Sequence, residues 1–423
     1  MKYRGICRAA ILRGLFAVTA IMSAVSISAQ NKLDAKLYEL SQDEPLHSSI
    51  WGVMAVNMRG DTIAAFNGSQ RMVPASNVKL LSTGVALKTL GPDYRFETKI
   101  GYTGEIKDGT LNGDLYIMGG ADPTVGVQMK VENVFGAWKS ILDEAGISSL
   151  KGRIIADSRY LKNSGIEKSW QYEDLECGDA LIPRGLNFRK NVRDYEHIFT
   201  MGFVAQPSPM DTCATAFAQY LKQTGFSFTG ECTSSESPDI AVRDSIVLLG
   251  RLHSATLASI VKETNYKSDN FYAETLYRLM ADRYTPVLDA IGMMGIKTRG
   301  SIQLVDGCGL SRKDYVSPAF FVSFLGAMYS TDVFDSYLMT LPQPGSGTLT
   351  ARLRKSPEST KKRVYMKSGS MNGVCCYSGY ILPSSGTADD IIAFSLMTNN
   401  VIDPQGKLGG IIDEIIIAIA AMN

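Results

Sequence analysis

Histidine is almost absent from this chain: His47, His197 and His253 are the only three in 423 residues. A Ser-His-Asp triad needs an imidazole beside its serine, and zinc sites draw on histidine and cysteine. None of the three stands in a triad or nucleophile-elbow context, and no Cys-x-x-Cys occurs. A serine enzyme built on this sequence therefore needs another base, and no metal or other cofactor is implied. Cysteine is also thin. Apart from Cys7 there are Cys177, Cys213, Cys232, Cys308, Cys375 and Cys376, too few for a disulfide scaffold. Cys213 and Cys232 could pair across a helix and the following strand, a point the sequence leaves open, and Cys375-Cys376 read as packed strand residues. An excess of one charge is missing too, with 43 basic against 42 acidic residues, so nothing attracts nucleic acid or an anionic membrane. Repeats and low-complexity tracts are absent.

What is present begins at the N-terminus. Lys2, Arg4, Arg8 and Arg13 precede the apolar run LFAVTAIMSAV and then SISAQ, which reads as a secretory signal peptide over residues 1–29, cut after Ala29. Ile27 stands where a small residue is usual, so an uncleaved anchor is the alternative. Cleavage leaves 39 basic against 42 acidic residues. The working protein is expected outside the cytoplasm, in the periplasm.

The stretch SSIWGVMAVNMRGDTIAAFN predicts two strands joined at Arg59-Gly60-Asp61. KKRVYMKSGSM, GVCCYSGYIL and DDIIAFSLMTNN predict three more near the other end. Neighbours in sequence tend to pair, so five antiparallel strands from the two chain ends form one sheet, flanked by helices such as HSATLASIVKE, FYAETLYRLMADRY and PAFFVSFLGAMY. The fold class is mixed α/β (α+β). Residues 30–95 and 245–423 make the main domain. Residues 96–244 make an inserted α/β domain with its own strands (FETKIGYTG, GDLYIMGG, GRIIAD) and helices (VENVFGAWKSILDEAG, DTCATAFAQYLKQTG). The last segment, GGIIDEIIIAIAAMN, reads as a core helix, with a membrane-surface anchor as the alternative. It lacks the Lys/Arg-rich polar face of such anchors.

Just after the first hairpin comes PASNVKLLSTGVALKTLG, a helix stopped by Gly91-Pro92, with Ser76 and Lys79 three apart on one face. Alone the pair is ambiguous, because Ser148/Lys151, Ser259/Lys262 and Ser359/Lys362 repeat the spacing. A lysine can act as a base where burial and nearby positive charge depress its pKa, so a second lysine matters. Lys367-Ser368-Gly369 lies on a predicted strand, and Ser268-Asp269-Asn270 lies at a helix junction between the two. The ordered set Ser-x-x-Lys, Ser-Asp-Asn and Lys-Thr-Gly marks β-lactamases and penicillin-binding proteins. Here serine replaces threonine at Ser368 and keeps the hydroxyl.

The spacing of 192 positions from Ser76 to Ser268 is too long for a compact β-lactamase. Together with GDLYIMGGADPT, GRIIADSRY, SDNFYAE, DGCGLSRKDYVSP and LPQPGSGTLTARL, the chain resembles the D-alanyl-D-alanine carboxypeptidase/endopeptidase family of penicillin-binding protein 4 type, over nearly its whole length. Cys308 stands where that family commonly has serine, and the 130–245 region is short. The resemblance implies Ser76 as acylated nucleophile, Lys79 as its base, Ser268 as proton relay, and Asn270 holding the substrate amide or Lys79. It implies Lys367 with Ser368 and Gly369 at the substrate carboxylate, and the Ser76 and Ser370 N–H groups as oxyanion hole. Asp157 would meet a stem-peptide amino group and Arg312 a carboxylate; a turn aspartate and a surface arginine are the plain alternatives. Gly119, Gly120, Asp122 and Pro123 read as a turn. The implied partners are peptidoglycan stem peptides and covalently bound β-lactams. Peripheral membrane contact and self-association stay open. The alternatives are a β-lactamase or esterase on the same fold, which needs a faster deacylation device, and an inactive wall-binding module.

Overall fold

The computed structural model describes residues 32–162, 165–176, 179–192, 209–235 and 245–422. The predicted signal segment, Cys177 and His197 lie outside these residues.

The five strands expected from the two chain ends do form one sheet, in the order Val364–Met371, Val374–Ile381, Ile392–Asn399, Ile50–Asn57, Thr62–Phe66. All four pairings are antiparallel. Both faces are covered, so the central strand Ile392–Asn399 is buried at every position. Its side chains nevertheless alternate as a pleat requires. Ala393 and Met397 join the core that holds the helix Val78–Leu90, while Ile392, Phe394 and Leu396 join the core under the C-terminal helix. That helix, Leu408–Ala420, buries Ile411, Ile412, Ile415, Ile416 and Ile419 along one stripe. It is therefore a core helix and not an anchor. Among the described residues no helix is long and apolar enough to cross a membrane.

The helix Val78–Leu90 lies in the centre of the other layer and is buried from Val78 to Leu87. Gly84 is required by this burial: a Cβ there would meet the Phe324 ring at 2.8 Å. Gly91 ends the helix at φ +83°, ψ 155°, a backbone conformation open essentially to glycine alone. The helices Leu257–Lys267, Asn270–Arg283 and Pro318–Tyr329 complete the layer.

The insertion has its own five-stranded sheet, ordered Cys232–Ser234, Ile154–Asp157, Leu115–Met118, Glu97–Tyr102, Val247–His253, and a four-stranded one. The helices Val131–Glu144 and Pro209–Gln223 close a core around Trp138 and Phe217. Two details complete the picture. Val247–His253, on the main-domain side of the boundary at 244/245, pairs with Glu97–Tyr102 and belongs to the insertion's sheet. Cys213 and Cys232 are both free thiols; Cys213 is sealed in the core and the Cys232 thiol donates to the Ala214 carbonyl.

Candidate active site

Ser76 sits in the single 3-10 turn Ala75–Asn77 that feeds the helix Val78–Leu90. Ala75 has φ +46°, a conformation costly for an L-residue, and the surroundings hold it there. Asn77 donates to Ser378 Oγ at 2.7 Å, which passes the bond to Ser395 Oγ, tying the turn to the sheet. Asn399 exchanges two hydrogen bonds with the backbone of Val73. Gly369 lies against the turn so closely that a Cβ would stand 2.6 Å from the Pro74 carbonyl, and a Cβ on Gly309 would stand 1.9 Å from that of Ala75.

Helical spacing puts Lys79 one turn behind Ser76, and the amine is completely buried. Its Nζ lies 2.8 Å from Ser76 Oγ, 2.7 Å from Asn270 Oδ1 and 2.6 Å from the Cys308 carbonyl. Burial lowers its pKa, opposed by the negative charge of Asp306 and more distant aspartates. A neutral amine satisfies the same three neighbours, with two N–H bonds to Asn270 Oδ1 and the Cys308 carbonyl and a lone pair accepting the Ser76 hydroxyl.

The second motif lies between two helices. Ser268 ends Leu257–Lys267 in the left-handed conformation, φ +57°, and Asp269 caps the next helix through the Tyr272 N–H. That kink sets Asn270 on Lys79 and Ser268 on Lys367, while the Asp269 carboxylate pairs with Lys190. On the edge strand, Lys367 is also fully buried and donates to Ser268 Oγ at 2.9 Å and to the Ser368 carbonyl at 2.6 Å. Burial, with the neighbouring Lys79, depresses it well below the ordinary lysine range. Ser368 shares a 2.7 Å hydrogen bond with Thr348.

Ser76, Ser268 and Asn270 open on a cavity of about 540 Å³ that also carries Gly309, Leu310, Arg312, Ser370, Met371 and Asn372. Its remaining wall, Gln171, Glu173, Asp174 and Asp179, comes from the inserted region. Arg312 is among the lining residues and donates to the Asn372 carbonyl at 3.3 Å. Asp157 is not: it lines a different cavity and is held by Arg159 through two bonds of 2.8 and 2.7 Å. This differs from the contact that the family resemblance implies for it.

The segment DGCGLS supplies parts that the motifs do not. Asp306 accepts the N–H groups of Cys308, Gly309 and Ser311 and the indole N–H of Trp170. Glu274 holds the same loop through the Gly307 N–H and is itself paired with Arg278. The loop thereby fixes the Cys308 carbonyl on Lys79. Glu274, Asp306 and Cys308 bring ligand-type atoms within 4.8 Å of one another, but both carboxylates are already engaged by the loop.

Similarity to known proteins agrees with this geometry. Residues 33–202 and 200–411 match the D-Ala-D-Ala carboxypeptidase 3 (S13) family. The chain belongs to that family. Among its relatives is the D-alanyl-D-alanine carboxypeptidase DacB of Haemophilus influenzae, 24% identical over 89% of this chain and 91% of that protein. The crystal structure of penicillin binding protein 4 (dacB) from the same organism superposes with a TM-score of 0.74 at 22% identity, covering 90% of this chain and 99% of that one. A penicillin G-acylated predatory endopeptidase from Bdellovibrio bacteriovorus, in complex with an immunity protein, gives 0.53 at 18% identity, covering 87% and 90%. The S13 chain described here is thus a D-Ala-D-Ala carboxypeptidase-family peptidase with the penicillin-binding protein 4 fold.

Proposed function

We propose that the protein is a serine DD-peptidase that removes D-alanine from, or cuts cross-links between, peptidoglycan stem peptides, works outside the cytoplasm, and is trapped covalently by β-lactams. The observation that carries this reading is the buried Lys79 amine set 2.8 Å from Ser76 Oγ. In the first step Ser76 Oγ attacks the carbonyl of the D-Ala-D-Ala peptide and Lys79 takes its proton. The backbone N–H groups of Ser76 and Ser370 face the oxyanion, a donor type whose loss costs about 3 kcal/mol. Collapse of the adduct expels the amine, which needs a proton; Ser268, bonded to Lys367, relays it. Water then hydrolyses the ester by the reverse sequence.

Lys367 has a further part in this scheme. A substrate carboxylate arriving beside it favours its charged form, so binding draws a proton onto Lys367. The new charge then helps to keep Lys79 neutral. Ser368 and Thr348 supply hydroxyls beside the same carboxylate, with Arg312 across the cavity.

The test is acylation by a fluorescent penicillin. Wild type is expected to label and Ser76→Ala to remain unlabelled; labelling that survives the substitution rejects the assignment. Slow release of the drug separates a peptidase from a β-lactamase, and loss of D-alanine from a model pentapeptide separates both from a binding module.

A further inference from the structure

A second cavity, of about 580 Å³, lies at the seam between the main domain and the insertion. Tyr94, Arg95 and Arg283 line it from the main-domain side, and Lys99, Arg159 and Tyr160 from the insertion. Four cations face two carboxylates there, a surplus of two positive charges. Both carboxylates are committed: Asp157 to Arg159, and Glu97 to Arg251 at 3.0 Å and Lys99 at 3.6 Å. Arg95 and Arg283 have no carboxylate partner among the described residues. Arg95 donates to the Ser254 carbonyl, which leaves its charge uncompensated, and Arg283 stacks over the Tyr160 ring at 4.5 Å.

Guanidinium groups beside aromatic rings suit a ligand that has carboxylates on an uncharged frame, because the planar fork pairs with carboxylate and the ring faces cover the frame. Position adds to this. Arg283 closes the helix that Asn270 opens, so the seam lies about 20 Å from the Ser-Asp-Asn motif along that axis. A small substrate cannot reach both places, whereas a polymer can.

Resting on the reading of the active site given above, we propose that this cavity is an exosite for the polymeric substrate, in which Arg95 and Arg283 bind carboxylates of a second, uncleaved stem peptide. Binding there raises the local concentration of scissile ends at Ser76. It takes no part in the bond-breaking steps.

The test uses full-length Ser76→Ala protein and a muramyl tripeptide, which lacks the D-Ala-D-Ala bond, titrated by calorimetry. The Arg95→Gln/Arg283→Gln double substitution is expected to weaken its binding roughly tenfold, the effect of losing one or two charge-assisted contacts. In the Ser76 background the same pair should leave penicillin acylation and pentapeptide hydrolysis unchanged and slow the digestion of intact sacculi. Equal tripeptide binding with and without the two arginines overturns the exosite. So does a parallel fall in pentapeptide hydrolysis, which would mark a structural role. Displacement by inorganic phosphate at equal concentration overturns the carboxylate assignment. Because tripeptide binding is read on protein that cannot be acylated, an enzyme inactive on pentapeptide would reject the peptidase reading without deciding the exosite.

Discussion

Two fully buried lysines in one site are costly unless at least one is neutral. Their pKa values set two predictions. Catalysis needs the free base of Lys79, so acylation falls as pH falls through its depressed pKa. When the drug's carboxylate draws a proton onto Lys367, its positive field adds to the burial that depresses Lys79, hence Lys367→Met should raise the Lys79 pKa in the complex and move the acid limb of the acylation profile to higher pH; a stopped-flow pH profile reads the shift. Stability follows the same linkage. Between the depressed folded value and the ordinary 10.5, the unfolded chain binds a proton that the folded protein lacks, so stability rises with pH across that window by up to about 1.4 kcal/mol per pH unit for each lysine. Lys367→Met removes one such share, and urea unfolding at several alkaline pH values should show a shallower rise than in wild type. Buried tyrosines and cysteines titrate in the opposite sense in both proteins and cancel in the comparison. Cys308 provides the control. Its carbonyl contacts Lys79 while its thiol is merely buried, so Cys308→Ser should leave acylation unchanged and cost about 1–2 kcal/mol in thermal unfolding for the buried hydroxyl.

The elements act as clamps on the Ser76 turn. The edge strand approaches it through Gly369, and a Cβ there would meet two backbone atoms, the Pro74 carbonyl at 2.6 Å and the Asn77 nitrogen at 3.0 Å. Neither can rotate away, so Gly369→Ala must separate strand and turn. A misplacement near 1 Å can cost about 10²-fold, and a loss of that order in acylation rate is expected with a small change in melting temperature. Unchanged acylation would mean that the gap is not set by this glycine. Elements of this kind were legible in the sequence because period-2 and period-3.6 patterns encode which face is buried. The three motifs were legible because their order and spacing restrict one another. Less visible was the loop 306–311: its contribution to Lys79 is a backbone carbonyl, which leaves no trace in side-chain identity beyond the Asp306 and glycines that shape it. Val247–His253 pairs with Glu97–Tyr102, a pairing hard to read in the sequence for a related reason. As an edge strand with mostly exposed or half-buried residues, it has no apolar alternation to show which sheet it joins.

At the scale of the whole molecule, chain order and spatial order disagree, and the disagreement lies over the active site. Residues 165–187 fall within the insertion by position, yet Trp170 and Ala180 share a small core with Ala273 and Cys308. Asn270 donates to the Asp179 carbonyl at 3.2 Å, and Ser169 shares a bond with Ser311. The insertion therefore reaches back to cover the DGCGLS loop, while Asp157 lines a separate cavity with Arg159. If this cover supports Lys79 through Asp306, damage to it should reach the chemistry in graded steps. Trp170→Phe removes only the indole N–H bond to Asp306 and leaves the three backbone donors in place, for an expected stability loss of about 1–2 kcal/mol and a modest fall in acylation. Trp170→Ala also empties a buried site, and its expected cost is about 3–5 kcal/mol with a larger fall. Urea unfolding and penicillin acylation measured on both variants should rank them identically; stability loss without any loss of acylation would show that the covering segment packs against the loop without positioning it.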